Sequence, residues 1–216
     1  LQLEMVSATR QFGFLPYTER GTLSSIMSLV KDDIPVIVFQ NLSIQLFPQW
    51  HYAVVIGFDS DKGTVTLHTG LTPNHEMSLE LFERTWGRGN YWYLAPVPPN
   101  VTSSEMKPFT YVSAAYDMLK VGDKSRALAF LETASRTWPS YWLSYFLIGN
   151  HYLEQDDDQA VTWFKKGYEV GQHQHAYVHN YVLALRKNNK PEEASTILKQ
   201  GLEHFPNNEA LLSLKI

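Results

Sequence analysis

The string Trp50-His51-Tyr52-Ala53-Val-Val-Ile-Gly-Phe58 places a histidine at the mouth of an apolar run. An imidazole fixed at the end of a strand, with its ring left accessible, is where a general base belongs. On spacing alone, the plainer reading has the advantage: a strand-end histidine packed beside Trp50 and Tyr52. No cysteine occurs in the 216 residues, which excludes disulfides, thiolate metal sites and a cysteine nucleophile within this chain. His173, His175 and His179 cluster, and the last two have the i, i+4 spacing that could grip a metal on one helix face. No third ligand lies close in sequence, so they read as polar residues at a repeat junction, and neither metal nor cofactor is expected. Asp156-Asp157-Asp158 reads as a solvated loop between paired helices. Gly87 and Gly89 flank Arg88 but precede no helix, so they form no phosphate cradle.

The elements that must position these groups fall into two textures. Residues 1–98 predict an α+β domain, helices first and an antiparallel meander afterwards. Leu1, Met5, Ala8 and Phe12 fall at helical spacing with Gly13 as a stop. Nothing before them could cap that helix, so the chain is expected to be cut within it, with the true N-terminus upstream. Thr22 can cap a helix over 23–30, and Ser78 one over 79–86. Strands are expected over 35–39, 51–58, 64–68 and 90–97, with Asp59–Gly63 as a hairpin turn. A proline-rich linker, 99–107, follows.

From 108 to 216 the pattern is wholly helical and repeats. Tyr111, Ala114, Ala115, Met118, Ala127, Leu131, Ala134 and Pro139 match tetratricopeptide spacing. Further units run over 145–172 and 178–206, and Glu209–Ile216 begins a capping helix. Small residues at Ala127, Ala160 and Ala194 allow paired helices to approach closely. Counting repeat positions forward puts Phe109, Val112, Tyr116, Phe146, Leu147, Asn150, His179, Asn180 and Arg186 in a concave groove. Such grooves hold extended peptides, amides on backbone and aromatics on side chains. Val112 stands where a carboxylate-clamping lysine would be needed, so no clamp is expected. The alternative occupant is the linker or the first domain.

Composition narrows the partners to peptide or protein. The net charge of −4 gives no basic face for nucleic acid, and the apolar runs are far too short for a membrane span.

Pro35-Val-Ile-Val-Phe-Gln-Asn41, Trp50–Asp59 and Val65-Thr-Leu-His-Thr-Gly70 together resemble the bacteriocin-processing (double-glycine) family of papain-like cysteine peptidases. Phe82-Glu-Arg-Thr-Trp86 and the repeats narrow this to a bacterial subgroup that joins such a domain to tetratricopeptide repeats. The resemblance implies a papain-like peptidase domain, truncated at its N-terminus, followed by an all-α repeat solenoid. It makes His51 the general base for a cysteine that would fall just before Leu1, facing the start of the first helix, with His68 or Thr69 at the orienting position. It implies peptide-bond hydrolysis in a longer parent and inactivity in this chain, with the compartment set by whatever signal lies upstream. The alternative is a non-catalytic interaction scaffold on a degenerate peptidase domain. A Gln and a Cys-Gly ahead of Leu1 would separate the two.

Overall fold

The structure is a computed structural model that describes residues 1–43 and 46–215. The last residue of the expected capping segment, Ile216, lies outside the described residues. The chain divides into two compact units, Leu1–Met118 and Leu119–Ile216.

The first unit begins with α1 (Gln2–Gln11), β1 (Leu15–Arg20) and α2 (Leu23–Lys31). Thr22 caps α2 as its side chain predicts. Ser25 N donates to Thr22 Oγ1 at 3.2 Å and Thr22 N donates to Ser25 Oγ at 2.7 Å, satisfying two otherwise orphaned amides. β2 (Val36–Asn41), β3 (Trp50–Asp59), β4 (Thr64–Thr69) and β5 (Thr72–Ser78) follow, then α3 (Leu79–Arg88) and β6 (Trp92–Val97). The six strands form one antiparallel sheet in the order β1-β6-β2-β3-β4-β5. Val36 and Val38 of β2, Ala53 and Val55 of β3, and Tyr93, Leu94, Ala95 and Val97 of β6 supply its core.

Strand alternation assigns the helices to opposite faces of this sheet. Ile37 and Val54 are register partners, and Ile37 lines an apolar cavity of about 310 Å³ with Met5, Ala8 and Thr9 of α1. Tyr52 shares that face, and its hydroxyl meets the Gln2 side chain. His51 and its partner Gln40 take the other face, where Gln40 Nε2 donates to Thr85 Oγ1 of α3 at 2.8 Å.

A papain-like domain followed by a solenoid is therefore not the architecture of this chain. The residue of β3 that meets the start of α1 is Tyr52; His51, one position earlier, is turned away by the period-2 pleat. Nor does the sheet end where the helices begin. β1 is tied to α4 (Pro108–Lys120) and the residue before it: Lys107 N donates to Tyr17 Oη at 2.9 Å, and Lys107 Nζ (3.1 Å) and the Thr110 hydroxyl both donate to the Glu19 carboxylate. All but the last two residues of α4 accordingly belong to the first unit. What the chain holds is one antiparallel sheet flanked by helices, together with helical repeats.

The second unit carries α5 (Lys124–Thr137), α6 (Trp142–Glu154), α7 (Gln159–Lys166), α8 (Tyr168–Gly171), α9 (His175–Lys187), α10 (Pro191–His204) and α11 (Glu209–Leu212). Ala127, Ala160 and Ala194 are buried to 0–1% exposure, as close helix approach requires. Gly149 is needed for the same reason, since a Cβ there would come within 2.9 Å of the Phe164 ring. At Gly167 the helix breaks between α7 and α8. A Cβ on Gly167 would lie 2.5 Å from Tyr145 and from Tyr177 Oη, so only glycine lets these two tyrosines close over the break. Tyr177 Oη donates to Phe164 O at 2.9 Å and Tyr145 Oη to Ser135 O at 3.1 Å. Burial pushes the Tyr177 hydroxyl well above the usual phenol range, so it remains a donor.

Candidate functional site

His51 Nε2 lies 2.6 Å from Thr69 Oγ1, so the ring is tied diagonally across β3 and β4. Of the two positions considered for an orienter, the structure brings Thr69 to the histidine. His68 faces elsewhere, its Nδ1 accepting from Asn74 N of β5 at 3.2 Å. Thr69 is neither a carboxylate nor an amide and cannot stabilise an imidazolium as an acid partner would. On the opposite face of the sheet Phe39 stacks on Trp50 at 4.7 Å between ring centroids, and at the strand end Asn41 Oδ1 accepts from Ser43 N and Gln49 N. These bonds secure a strand end; no nucleophilic thiol exists in the sequence for His51 to activate.

The residues assigned to a repeat groove divide between the units. Phe109, Val112 and Tyr116 lie in the first unit. Phe109 and Tyr116 are exposed, whereas Val112 is completely buried and belongs to the core, a correction to its groove assignment. Helical phase explains it: Val112 follows Tyr111 on the buried arc of α4, next to Ala115.

In the second unit, Leu147 is also largely buried and packs as core. Phe146 is half-buried against Trp142 and Tyr177, 5.5 and 5.9 Å between ring centroids. Arg186 is exposed, but its guanidinium donates to the Leu214 carbonyl and so is engaged within the second unit.

Asn150, His179 and Asn180 remain, and they form a ladder. His179 Nδ1 donates to Asn180 Oδ1 at 2.8 Å, and Asn180 Nδ2 donates to Asn150 Oδ1 at 2.8 Å, bridging α9 and α6. The chain of bonds fixes its own polarity, because an amide oxygen can only accept. In the neutral ring, one end of the ladder is therefore an acceptor, His179 Nε2; the other end is a donor, Asn150 Nδ2. All three side chains are half-exposed. His175, the metal-spaced partner of His179, instead meets the Phe205 ring at 6.0 Å. Among the described residues no three His, Cys, Asp or Glu side chains gather to hold a metal ion. No described helix is long and apolar enough to cross a membrane.

Two features escaped the sequence. The break at Gly167 was hidden because Gly167 fits the repeat's small-residue position whether or not the helix continues. The outer face of α10 carries Glu192, Thr196, Gln200 and Glu203 at i, i+4, i+8 and i+11, a stripe at helical spacing that the repeat pattern does not single out.

No family model matches this chain, and no curated protein matches it. Among solved structures it is similar to the N-terminal domain of stress-induced protein-1 (STI-1) from C. elegans. That match has 19% identity and a TM-score of 0.44, covering 50% of this chain and 91% of that one. It is also similar to MamA protein, at 18% identity and a TM-score of 0.41, over 45% of this chain and 54% of that one. Both alignments are partial, so what the helices do is inferred below from their own side chains.

Proposed function

We propose that this chain is a protein-interaction scaffold whose helical repeats bind an extended peptide segment of a partner across α6 and α9. The observation that carries this is the Asn150–Asn180–His179 ladder. Its internal bonds are made, and its two ends offer one donor and one acceptor. An extended peptide backbone presents carbonyl acceptors and N–H donors at regular spacing, which a pre-ordered pair of this kind can meet without paying to organise itself. Phe146, half-buried one turn before Asn150, gives a nearby apolar surface for a partner side chain. The sheet of the first unit serves in this reading as structural support, with His51 as part of its strand-end bonding.

The test is selection from a phage-displayed library of random twelve-residue peptides on the full chain, followed by affinity measurement with the enriched peptides. They are expected to lose about tenfold or more in affinity on Asn180→Ala, one hydrogen-bond pair's worth of energy. Enriched peptides that bind the Asn180→Ala chain as tightly as the unaltered one would overturn the proposal, as would a library from which nothing enriches.

A further inference from the structure

A second surface of the repeats carries a feature that the peptide-binding ladder does not use. A cleft of about 920 Å³ lies among α7, α8, α9 and α10. Tyr168, Tyr181 and Ile197 supply its apolar part, and glutamates 169, 192, 193 and 203 supply most of its charge. The break at Gly167 explains why the tyrosines are there. By ending α7 and restarting the chain as α8, it brings Tyr168 to 5.6 Å from Tyr181, and Tyr168 Oη donates to Gln200 Oε1 of α10 at 2.9 Å.

Helix stability does not account for all of this charge. Glu192 and Glu193 lie in the first turn of α10, where a carboxylate offsets the helix dipole, and Glu193 pairs with Lys190 at 3.4 Å. Glu203 lies in the last turn of α10, where the dipole disfavours a negative charge. Among the described residues, Glu169, Glu192 and Glu203 have no ion-pair partner. Of the cations nearby, Lys166 sits over the Trp163 ring at 4.5 Å, leaving Lys165 and His204 as the basic side chains of the cleft.

We infer that this cleft docks a basic segment of a partner protein, with lysine or arginine stems lying along the tyrosines and their charged heads among the three unpaired glutamates. Long cationic side chains combine an apolar stem with a charged tip, and the cleft offers a surface for each. Because the carboxylates are exposed, their attraction is screened by salt within roughly 8 Å at physiological ionic strength. The inference is independent of the Asn150–Asn180–His179 ladder.

A fluorescein-labelled peptide of alternating lysine and serine, titrated with the full chain by anisotropy, tests it against a matched glutamate–serine peptide. The lysine peptide is expected to bind, to weaken steeply between 50 and 300 mM salt, and to lose about fivefold or more in affinity on Glu169→Gln with Glu203→Gln. The same charge change made in the first unit, Glu76→Gln with Glu83→Gln, should leave binding within twofold, and so should Asn180→Ala. Equal losses from both glutamate pairs would reduce the effect to overall charge and overturn the inference. So would binding no tighter than the glutamate–serine peptide, or a loss confined to Asn180→Ala.

Discussion

His51 and Thr69 are joined across neighbouring strands, ring nitrogen to hydroxyl at 2.6 Å, on the sheet face opposite α1. That relationship gives the ring a partner within the sheet. A base serving a nucleophile at the start of α1 would have to share that helix's face, and Tyr52 occupies the place instead. Thr69→Val removes the hydroxyl at nearly constant volume. It should destabilise the first unit by ~1 kcal/mol, a typical net hydrogen-bond contribution, read from its denaturation midpoint. An unchanged midpoint would show that the tie contributes nothing.

Gly167→Ala should be costly for a reason that has nothing to do with φ. The added Cβ meets Tyr145 and Tyr177 at 2.5 Å, too close for either ring to remain in place. Overpacking of this kind costs about 1–3 kcal/mol. Thermal unfolding of the variant should show the loss in the second unit, and a Tm equal to that of the unaltered chain would contradict the packing described.

The same logic applies at the helix crossings. Ala127→Leu, Ala160→Leu and Ala194→Leu each force a larger side chain into a position with at most 1% exposure, and each should destabilise by ~1–3 kcal/mol. Chemical denaturation of the three variants checks this, and three unchanged midpoints would count against the repeat register.

How much of this was legible in sequence differs by physical cause. Thr22 and Ser78 announce their helices because capping is local, and the hairpin of β3 and β4 is announced by its apolar alternation and turn. β5 is not legible as a strand: Thr72-Pro-Asn-His-Glu-Met-Ser78 is polar and mostly exposed, an edge strand held by its neighbour and not by a buried face. β1 carries Pro16, which hides an edge strand in the same way. The helical period found Asn150, His179 and Asn180, but it could not tell Val112 and Leu147 from groove residues, since a shift of one residue turns a helical side chain by about 100°. Whether His51 shares a face with α1 depends on which side of the sheet each helix crosses, and no local pattern carries that.

Acidification should weaken the second unit through His151. Burial lowers its pKa below the ordinary 6.5, with the Lys124 charge adding to the effect. The residue is 8% exposed, and Gln155 Nε2 donates to His151 Nε2 at 2.7 Å. A group whose folded pKa is depressed contributes stability that is complete above its unfolded pKa and is lost as pH falls through the folded value. Stability should therefore decline as pH falls below about 6.5, and His151→Gln should flatten that slope. Equal slopes in both chains, measured by denaturant titration across the pH series, would remove His151 from the account.

The amide ladder between α6 and α9 is proposed to receive a partner's backbone. A double-mutant cycle on one library-selected peptide tests it most directly: affinities for the unaltered chain, Asn150→Ala, Asn180→Ala and the double variant. Because Asn180 Nδ2 donates to Asn150 Oδ1, the two amides should act as one unit. Each single change is expected to weaken binding about tenfold, and the double change hardly more than either alone. Losses that simply add would contradict a shared ladder, and affinities unchanged across all four chains would contradict the claim itself.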